Sequence, residues 1–257
     1  DYHLVIDSCY REDLIAMVLR DRNHPCVISY SIGNEVIERK DIRVIHTAQT
    51  FKDVVTSLDP TRPATEALCS WDSDWEIFDP HAAVLDIVGY NYMMHKAESD
   101  HLRCPERVMW QTESYPRDAF ANWKHTSERP YIIGDMVWTG LDYLGESAIG
   151  QFHYEGEQRG EHYQAKHFPY HGAYCGDVDI TGWRKPISHY RDMLWNAKDG
   201  SPDIYLAVKE PDNYRNGHVT ETLWSVWPTW ESWNWSGWEN KTIEAEIYTK
   251  APKVRLY

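Results

Sequence analysis

Two glutamates each stand at the end of a short apolar run. Val27-Ile28-Ser29-Tyr30-Ser31-Ile32 closes in Gly33-Asn34-Glu35, and Arg107-Val108-Met109-Trp110-Gln111 closes in Thr112-Glu113. An acid directly behind an apolar strand is costly to desolvate unless something pairs with it. Taken singly, each Glu is best read as an ion-pair partner or a helix N-cap. Two of them on parallel strands of one α/β barrel change that weighing, because polar residues at the C-terminal strand ends of such a barrel face its active site. Paired carboxyl groups across a pocket are what glycosidic cleavage needs: one protonates the leaving oxygen, and the other attacks or directs water.

The elements that must position the two acids follow from periodicity. Ser8 is placed to cap a helix over residues 9–20, where Leu14, Ile15, Val18 and Leu19 form an i, i+3/i+4 stripe. Asn23-His24-Pro25 closes that helix and opens the strand 27–32, a structural duty that is preferred for Asn23 and His24 over one in the site. A second helix is expected over 39–58, with Val44, Ile45, Ala48, Phe51, Val55 and Leu58 on one face. Further strands are expected at 63–68, 84–90, 107–113 and 131–138. Strands apolar on both faces and separated by helical or loop segments indicate a parallel sheet. Five such units, at about 30 residues per unit for a full barrel, make an α/β fold corresponding to about strands 4–8 of a (β/α)8 barrel. Residues 147–182 read as a long loop over the barrel mouth, and 186–197 as a closing helix. Short alternating strands at 204–208, 222–226, 242–248 and 253–256 look like the start of a β-sandwich. The domain division expected is therefore 1–200 and 201–257.

The chain has 257 residues, 42% hydrophobic and 26% charged, which is ordinary for a globular protein. Its formal charge of −14 argues against a nucleic-acid partner, whose phosphates demand Lys and Arg, and against an anionic membrane surface. No apolar run reaches the roughly 18 residues of a membrane helix. Cys9, Cys26, Cys69, Cys104 and Cys175 form no CxxC pair, so metal-ligand spacing is absent and buried free thiols are expected. The 13 Trp and 17 Tyr against 5 Phe favour rings that carry a polar atom, which suit a sugar-gripping surface as well as a core. Trp224, Trp227, Trp230, Trp233, Trp235 and Trp238 cluster within one segment. Packing of a linker is preferred there over a carbohydrate platform. Asn234-Trp235-Ser236 and Asn240-Lys241-Thr242 are glycosylation triplets of a kind common by chance.

RDRNHPCVISYSIGNE (20–35) resembles the acid/base motif of glycoside hydrolase family 2, which includes β-galactosidases, β-glucuronidases and β-mannosidases. LDPTRPAT (58–65), DIVGYNY (86–92), WQTES (110–114) and DMVWTGLDYLGE (135–146) match the family in the same order. DVDITGWRKP (177–186) and WPTWESWNWSGW (227–238) resemble its closing segment and the passage into a C-terminal immunoglobulin-like domain. The resemblance implies a retaining β-glycosidase that works by double displacement through a covalent glycosyl-enzyme, with no cofactor and no metal. It implies Glu35 as general acid/base, entering the cycle protonated, and Glu113 as the ionised nucleophile. A retaining pair of carboxyl groups stands about 5–5.5 Å apart. Asn34 would bind the sugar 2-hydroxyl. Tyr92 would hydrogen-bond the nucleophile, with Tyr90 as the alternative on the same strand. Trp138 would be the platform under the sugar ring.

Asp142, Glu146 and Asp179 are read equally as substrate contacts or loop anchors. β-D-galactosides are the substrate expected first, because VWTGLDYLGE resembles the galactosidase-like branch. None of the matching stretches carries the Asn-x-Lys arrangement by which β-glucuronidases hold a uronate. β-Glucuronidase and β-mannosidase are the alternatives within the family, and a non-catalytic carbohydrate-binding fragment is the alternative outside it. A nucleotide-binding fold is disfavoured, since no GxGxxG or GxxxxGK[ST] follows a strand. The family also has domains and barrel strands ahead of the matching region, so the chain alone is expected to be inactive or weakly stable, with open sheet edges. By resemblance, a periplasmic or extracellular bacterial setting is expected, and a homo-oligomer is left open.

Overall fold

The computed structural model describes residues 2–157, 171–196, 204–215 and 217–257. The chain divides into two compact units. One holds Asp1–Thr112 and Arg129–Asp135, and the other holds Glu113–Glu128 and Met136–Tyr257.

Helices and strands alternate in the first unit: α1 (Ile6–Asp21), β1 (Tyr30–Asn34), α2 (Arg43–Leu58), β2 (Ala64–Leu68), the short α3 (Asp79–Ala82), β3 (Ile87–Asn91) and α4 (Ala97–Arg103). The next elements are β4 (Met109–Ser114), α5 (Ala119–Ser127) and β5 (Ile132–Val137). The five strands form one parallel sheet in the order β1-β2-β3-β4-β5. Parallel neighbours need a crossover, and helices supply it here. Every residue of β2 and of β3 is buried, as a strand covered on both faces requires. This is the α/β barrel-type architecture that the alternation of patterns implied.

One core gathers Tyr30, Ile32, Ala64, Leu68, Val88, Tyr90 and Met109 of the strands with Val18 of α1 and Ala48 and Val55 of α2. Within it, Asp100 is fully buried. Trp75 Nε1 and Tyr90 Oη donate to its Oδ2 at 2.8 and 2.7 Å, and Arg103 and Arg107 complete its shell at 2.8 and 3.1 Å. A carboxylate out of water survives only with such partners. Ahead of β1 and β2, Arg62 ties the chain together. Its Nε donates to Val27 O at 2.6 Å, its Nη2 to His24 O at 3.2 Å and its Nη1 to Asp59 Oδ2 at 2.6 Å.

The helix starts differ from the sequence reading: α1 begins at Ile6 rather than residue 9, and α2 at Arg43 rather than residue 39. Ser8 does not cap α1, because a 3-10 turn over Tyr2–Leu4 leads straight into the helix and the Ser8 hydroxyl donates to Val5 O at 2.7 Å. Of the expected stripe, Val18 is buried whereas Leu19 is exposed. β1 begins three residues later than expected, at Tyr30.

In the second unit α5 packs on α6 (Pro186–Trp195) through Ala119, Ile187 and Leu194. β6 (His153–Tyr154) pairs antiparallel with β8 (Val219–Thr220). A three-stranded antiparallel sheet has the order β10-β7-β9, from β7 (Ile204–Lys209), β9 (Thr229–Trp230) and β10 (Ala245–Thr249). The strands expected at 222–226 and 253–256 are not formed: Ser225 closes a turn onto Thr222, and 253–256 carry no ladder. The expected boundary at 200/201 and residues 158–170 of the loop lie outside the described residues. The five cysteines are free, but only Cys175 is buried and Cys26 is exposed. Among the described residues no helix is long and apolar enough to cross a membrane.

Candidate active site

β1 and β3 end alike. β1 ends at Asn34 and is followed by Glu35 at φ +47°; β3 ends at Asn91 and is followed by Tyr92 at φ +60°. A side chain other than glycine in this left-handed region costs about 1–3 kcal/mol, and such strain gathers at functional sites. The turn at β1 is prepared by a bulge. Ser31 pairs with Thr65 and Asn34 with Ala67, so β1 carries one residue more than β2 across that interval. Gly33 sits inside it, where a Cβ would come 2.8 Å from Glu66 Cδ. The Glu35 N–H then donates to Ala67 O at 2.9 Å.

Asn91 organises the cluster at the strand ends of the first unit and is fully buried. The Thr112 hydroxyl donates to Asn91 Oδ1 at 2.6 Å, which settles the orientation of the amide. Its Nδ2 therefore donates to Glu35 Oε1 at 2.9 Å and to Asn34 Oδ1 at 3.0 Å. Neither Asn91 nor Thr112 was singled out from sequence. The available signal was a polar residue closing an apolar strand in DIVGYN, the same signal that marked Glu35 and Glu113. Tyr92 is half-buried and stacks on Trp71 with centroids 6.3 Å apart. Tyr90, the alternative, is removed from consideration: it is fully buried and committed to Asp100, and burial pushes its phenol up. Behind β1 and β2, Glu66 Oε2 lies 3.1 Å from His81 Nε2, both side chains being buried.

Glu113 and Trp138 belong to the second unit. Glu113 is half-buried in β4, next to Ser114, whose carbonyl accepts the Trp138 N–H at 3.0 Å. The Trp138 ring meets Tyr143 edge-on at 6.1 Å and packs against Ile149, Ala173 and Cys175. The loop after Trp138 is laced to a second segment. Thr139 N donates to Cys175 O, Asp177 N to Thr139 O, Val178 N to Gly140 O and Asp142 N to Val178 O, at 2.8–3.3 Å. Asp142 is buried and accepts from Lys185 Nζ at 2.8 Å and Gly176 N at 2.7 Å. Burial pushes the Asp142 carboxyl up and the Lys185 ammonium down, each opposed by its partner. Asp142 is thus a loop anchor. Asp179 is another, accepting from the Thr181 hydroxyl and from the Thr181 and Trp183 N–H groups at 2.7–3.0 Å. Glu146 is exposed and accepts from the Tyr143 hydroxyl. Among the described residues no group of three or more His, Cys, Asp or Glu could hold a metal ion.

A family model described as the TIM barrel domain of the family 2 glycosyl hydrolases matches residues 6–167. The chain belongs to glycosyl hydrolase family 2. The solved structure of a family 2 member from Bacteroides cellulosilyticus is similar over 97% of this chain and 31% of its own, with a TM-score of 0.83 and 34% identity. A β-galactosidase of Bacteroides ovatus, BoGH2A, is 26% identical over 77% of this chain and 30% of its own length. A β-glucuronidase of Bacteroides uniformis matches 78% of this chain at 20% identity with a TM-score of 0.53, a likeness of fold alone. The chain spans about three tenths of the length of the first two of these family 2 relatives.

Proposed function

We propose that this chain carries both catalytic carboxyl groups of a retaining β-glycosidase, acting on terminal β-D-galactosides. Glu35 protonates the glycosidic oxygen as the aglycone leaves. Glu113 attacks the anomeric carbon to form the glycosyl-enzyme. Glu35 then takes a proton from water as that water displaces Glu113, restoring both groups. The observation that carries this reading is the posture of Glu35: exposed, set by a bulge and a left-handed turn at a strand end, and held by a buried Asn91. A carboxyl group with only a structural duty would be expected behind the strand with a cationic partner, as Asp100 is. Asn34, oriented by the same Asn91, is suited to a sugar 2-hydroxyl. Tyr92 and Trp138 are assigned as nucleophile partner and sugar platform.

The β-galactoside preference is supported by the names of the curated relatives from Bacteroides ovatus and Vibrio cholerae, the latter 28% identical over 52% of this chain. Asn-x-Lys triplets do occur outside the family motifs. Asn122-Trp123-Lys124 lies on α5, where Lys124 reaches Glu128 at 4.0 Å, and Asn196-Ala197-Lys198 runs outside the described residues. Neither supports a uronate site. We also read residues from 201 onward as the opening of an immunoglobulin-like domain, a reading supported by the antiparallel pairing of β7 with β9 and β10. Hydrolysis of aryl β-D-galactoside, glucuronide, mannoside and glucoside by the full polypeptide tests the substrate. The galactoside should show the highest kcat/KM, and a faster glucuronide or mannoside would transfer the assignment to that sugar. Sugar binding without any cleavage would favour the non-catalytic alternative.

A further inference from the structure

The Trp-rich segment splits into two halves with different surroundings. Trp224, Trp227 and Trp230, all half-buried, line a narrow cleft of about 40 Å³, room for a water and not for a sugar. Trp227 Nε1 donates to Glu210 O at 3.0 Å and Trp230 Nε1 to Glu210 Oε2 at 3.2 Å, so these indoles are fixed by packing and hydrogen bonds. The second half is built differently. Trp238 N donates to Trp235 O at 2.9 Å and Lys241 N to Trp238 O at 3.1 Å, which makes two successive four-residue turns. Their third residues are Gly237 at φ +80° and Asn240 at φ +61°, the two residue types that take a left-handed position at least cost. The repeated spacing in Trp-Ser-Gly-Trp-Glu-Asn-Lys is therefore a turn code that sets Trp235 and Trp238 one turn apart.

Between them the rings make a groove. Tyr214 meets Trp235 edge-on at 4.9 Å and Trp238 at 6.2 Å, which wedges both indoles in place. With Trp233, Asn234 and Lys241 they line an open depression of about 450 Å³, within the size range of small-molecule sites. A second depression of about 560 Å³ shares Trp238 and Ile243 with it. Trp233 is 54% exposed, a large apolar surface left in water. The Lys241 ammonium lies 3.9 Å over the Trp238 ring.

We propose that this groove binds a neutral pyranose chain, as a second carbohydrate site on the same polypeptide. Pyranose rings present C–H faces to aromatic surfaces and hydroxyls to flanking amide and ammonium groups. That is the mixture found here, with Asn234 and Lys241 lining the same depression as the rings. The −14 charge of the chain disfavours an anionic polymer. The two adjoining depressions suit more than one sugar residue. The proposal stands on the aromatic geometry and does not require the carboxylate assignment.

Affinity electrophoresis of the full polypeptide, carrying Glu113→Gln to prevent turnover, through gels containing soluble β-1,4-galactan tests it. Retardation is expected, and Trp233→Ala should weaken it at least tenfold without lowering the melting temperature, since that indole is exposed. Trp235→Ala should act in the same direction, and polygalacturonate gels should not retard the protein. Free mobility in β-1,4-galactan and in mixed-linkage β-glucan would overturn the proposal, as would equal retardation of the Trp233→Ala variant. Self-association that disappears with Trp233→Ala in sedimentation runs would also overturn it, by giving the surface to a second copy. Retardation through Trp233 by a polypeptide that cleaves no aryl glycoside would uphold the groove while the glycosidase reading failed.

Discussion

Glu35 depends on one neighbour more than on any charge. Asn91 gives it a hydrogen bond of 2.9 Å, and Asn91 can do so only because Thr112 occupies its oxygen. The proposed acid is thereby held in a backbone conformation that costs energy. Asn91→Ala in the full polypeptide is expected to lower kcat/KM on an aryl β-galactoside about 10–100-fold, roughly 1.4–2.7 kcal/mol of transition-state stabilisation. The effect should fall mainly on kcat, and Asn91→Ser should recover part of it. Unaltered kinetics with an unaltered melting temperature would show that Asn91 does not position the acid. This residue shows where sequence reading stopped at the smallest scale. Glu35 and Glu113 could be singled out as candidates because an acid behind an apolar strand is conspicuous. The role of Asn91 exists only once β1 and Thr112 come beside β3, and no local pattern carries that information.

At the scale of elements, LDPTRPAT is explained by what Asp59 and Arg62 hold. Asp59 caps the exit from α2, accepting from the Thr61 hydroxyl, the Thr61 N–H, Arg62 and Tyr30, and these donors, led by the Thr61 hydroxyl, hold its carboxyl well below the usual carboxylate range. A depressed folded-state value contributes stability above the unfolded value of about 3.9, and that stability is lost as pH falls through the folded one. Melting temperature should therefore drop as pH is lowered below about 4. Asp59→Asn should be less stable at neutral pH and show a shallower acid slope; a variant as acid-sensitive as the parent would assign the slope to other groups. The same clamp explains the late start of β1. Arg62 takes the carbonyls of His24 and Val27, so the apolar residues from Val27 lie ahead of the ladder although their pattern is strand-like. β2 and β3 were legible because burial on both faces leaves a continuous apolar run. β8 and β9 were not, because a two-residue strand is too short to show alternation.

At the scale of the whole molecule, the order of the motifs carried the family and the parallel sheet, while the fastening of the loop after Trp138 had to be seen. Asp142 and Lys185 are the example. They are 43 positions apart, and only the fold makes them a buried pair that fastens the loop following Trp138. Lys185→Met strands a buried carboxylate and should cost about 3–5 kcal/mol in urea melts, with Asp142→Leu added on top recovering most of the loss. Additive losses in the double variant would mean the two do not act as a pair. The second unit's Trp-rich half likewise read as one cluster until its turns separated packing rings from groove rings. The central claim concerns the whole catalytic cycle, and azide rescue on an activated aryl β-galactoside tests it most directly. Removing the acid/base leaves a glycosyl-enzyme that azide intercepts from the β face, whereas removing the nucleophile opens the α face of the substrate itself. Glu35→Ala should therefore yield the β-galactosyl azide and Glu113→Ala the α-galactosyl azide. The reverse pairing, or rescue of neither variant, would contradict the assignment.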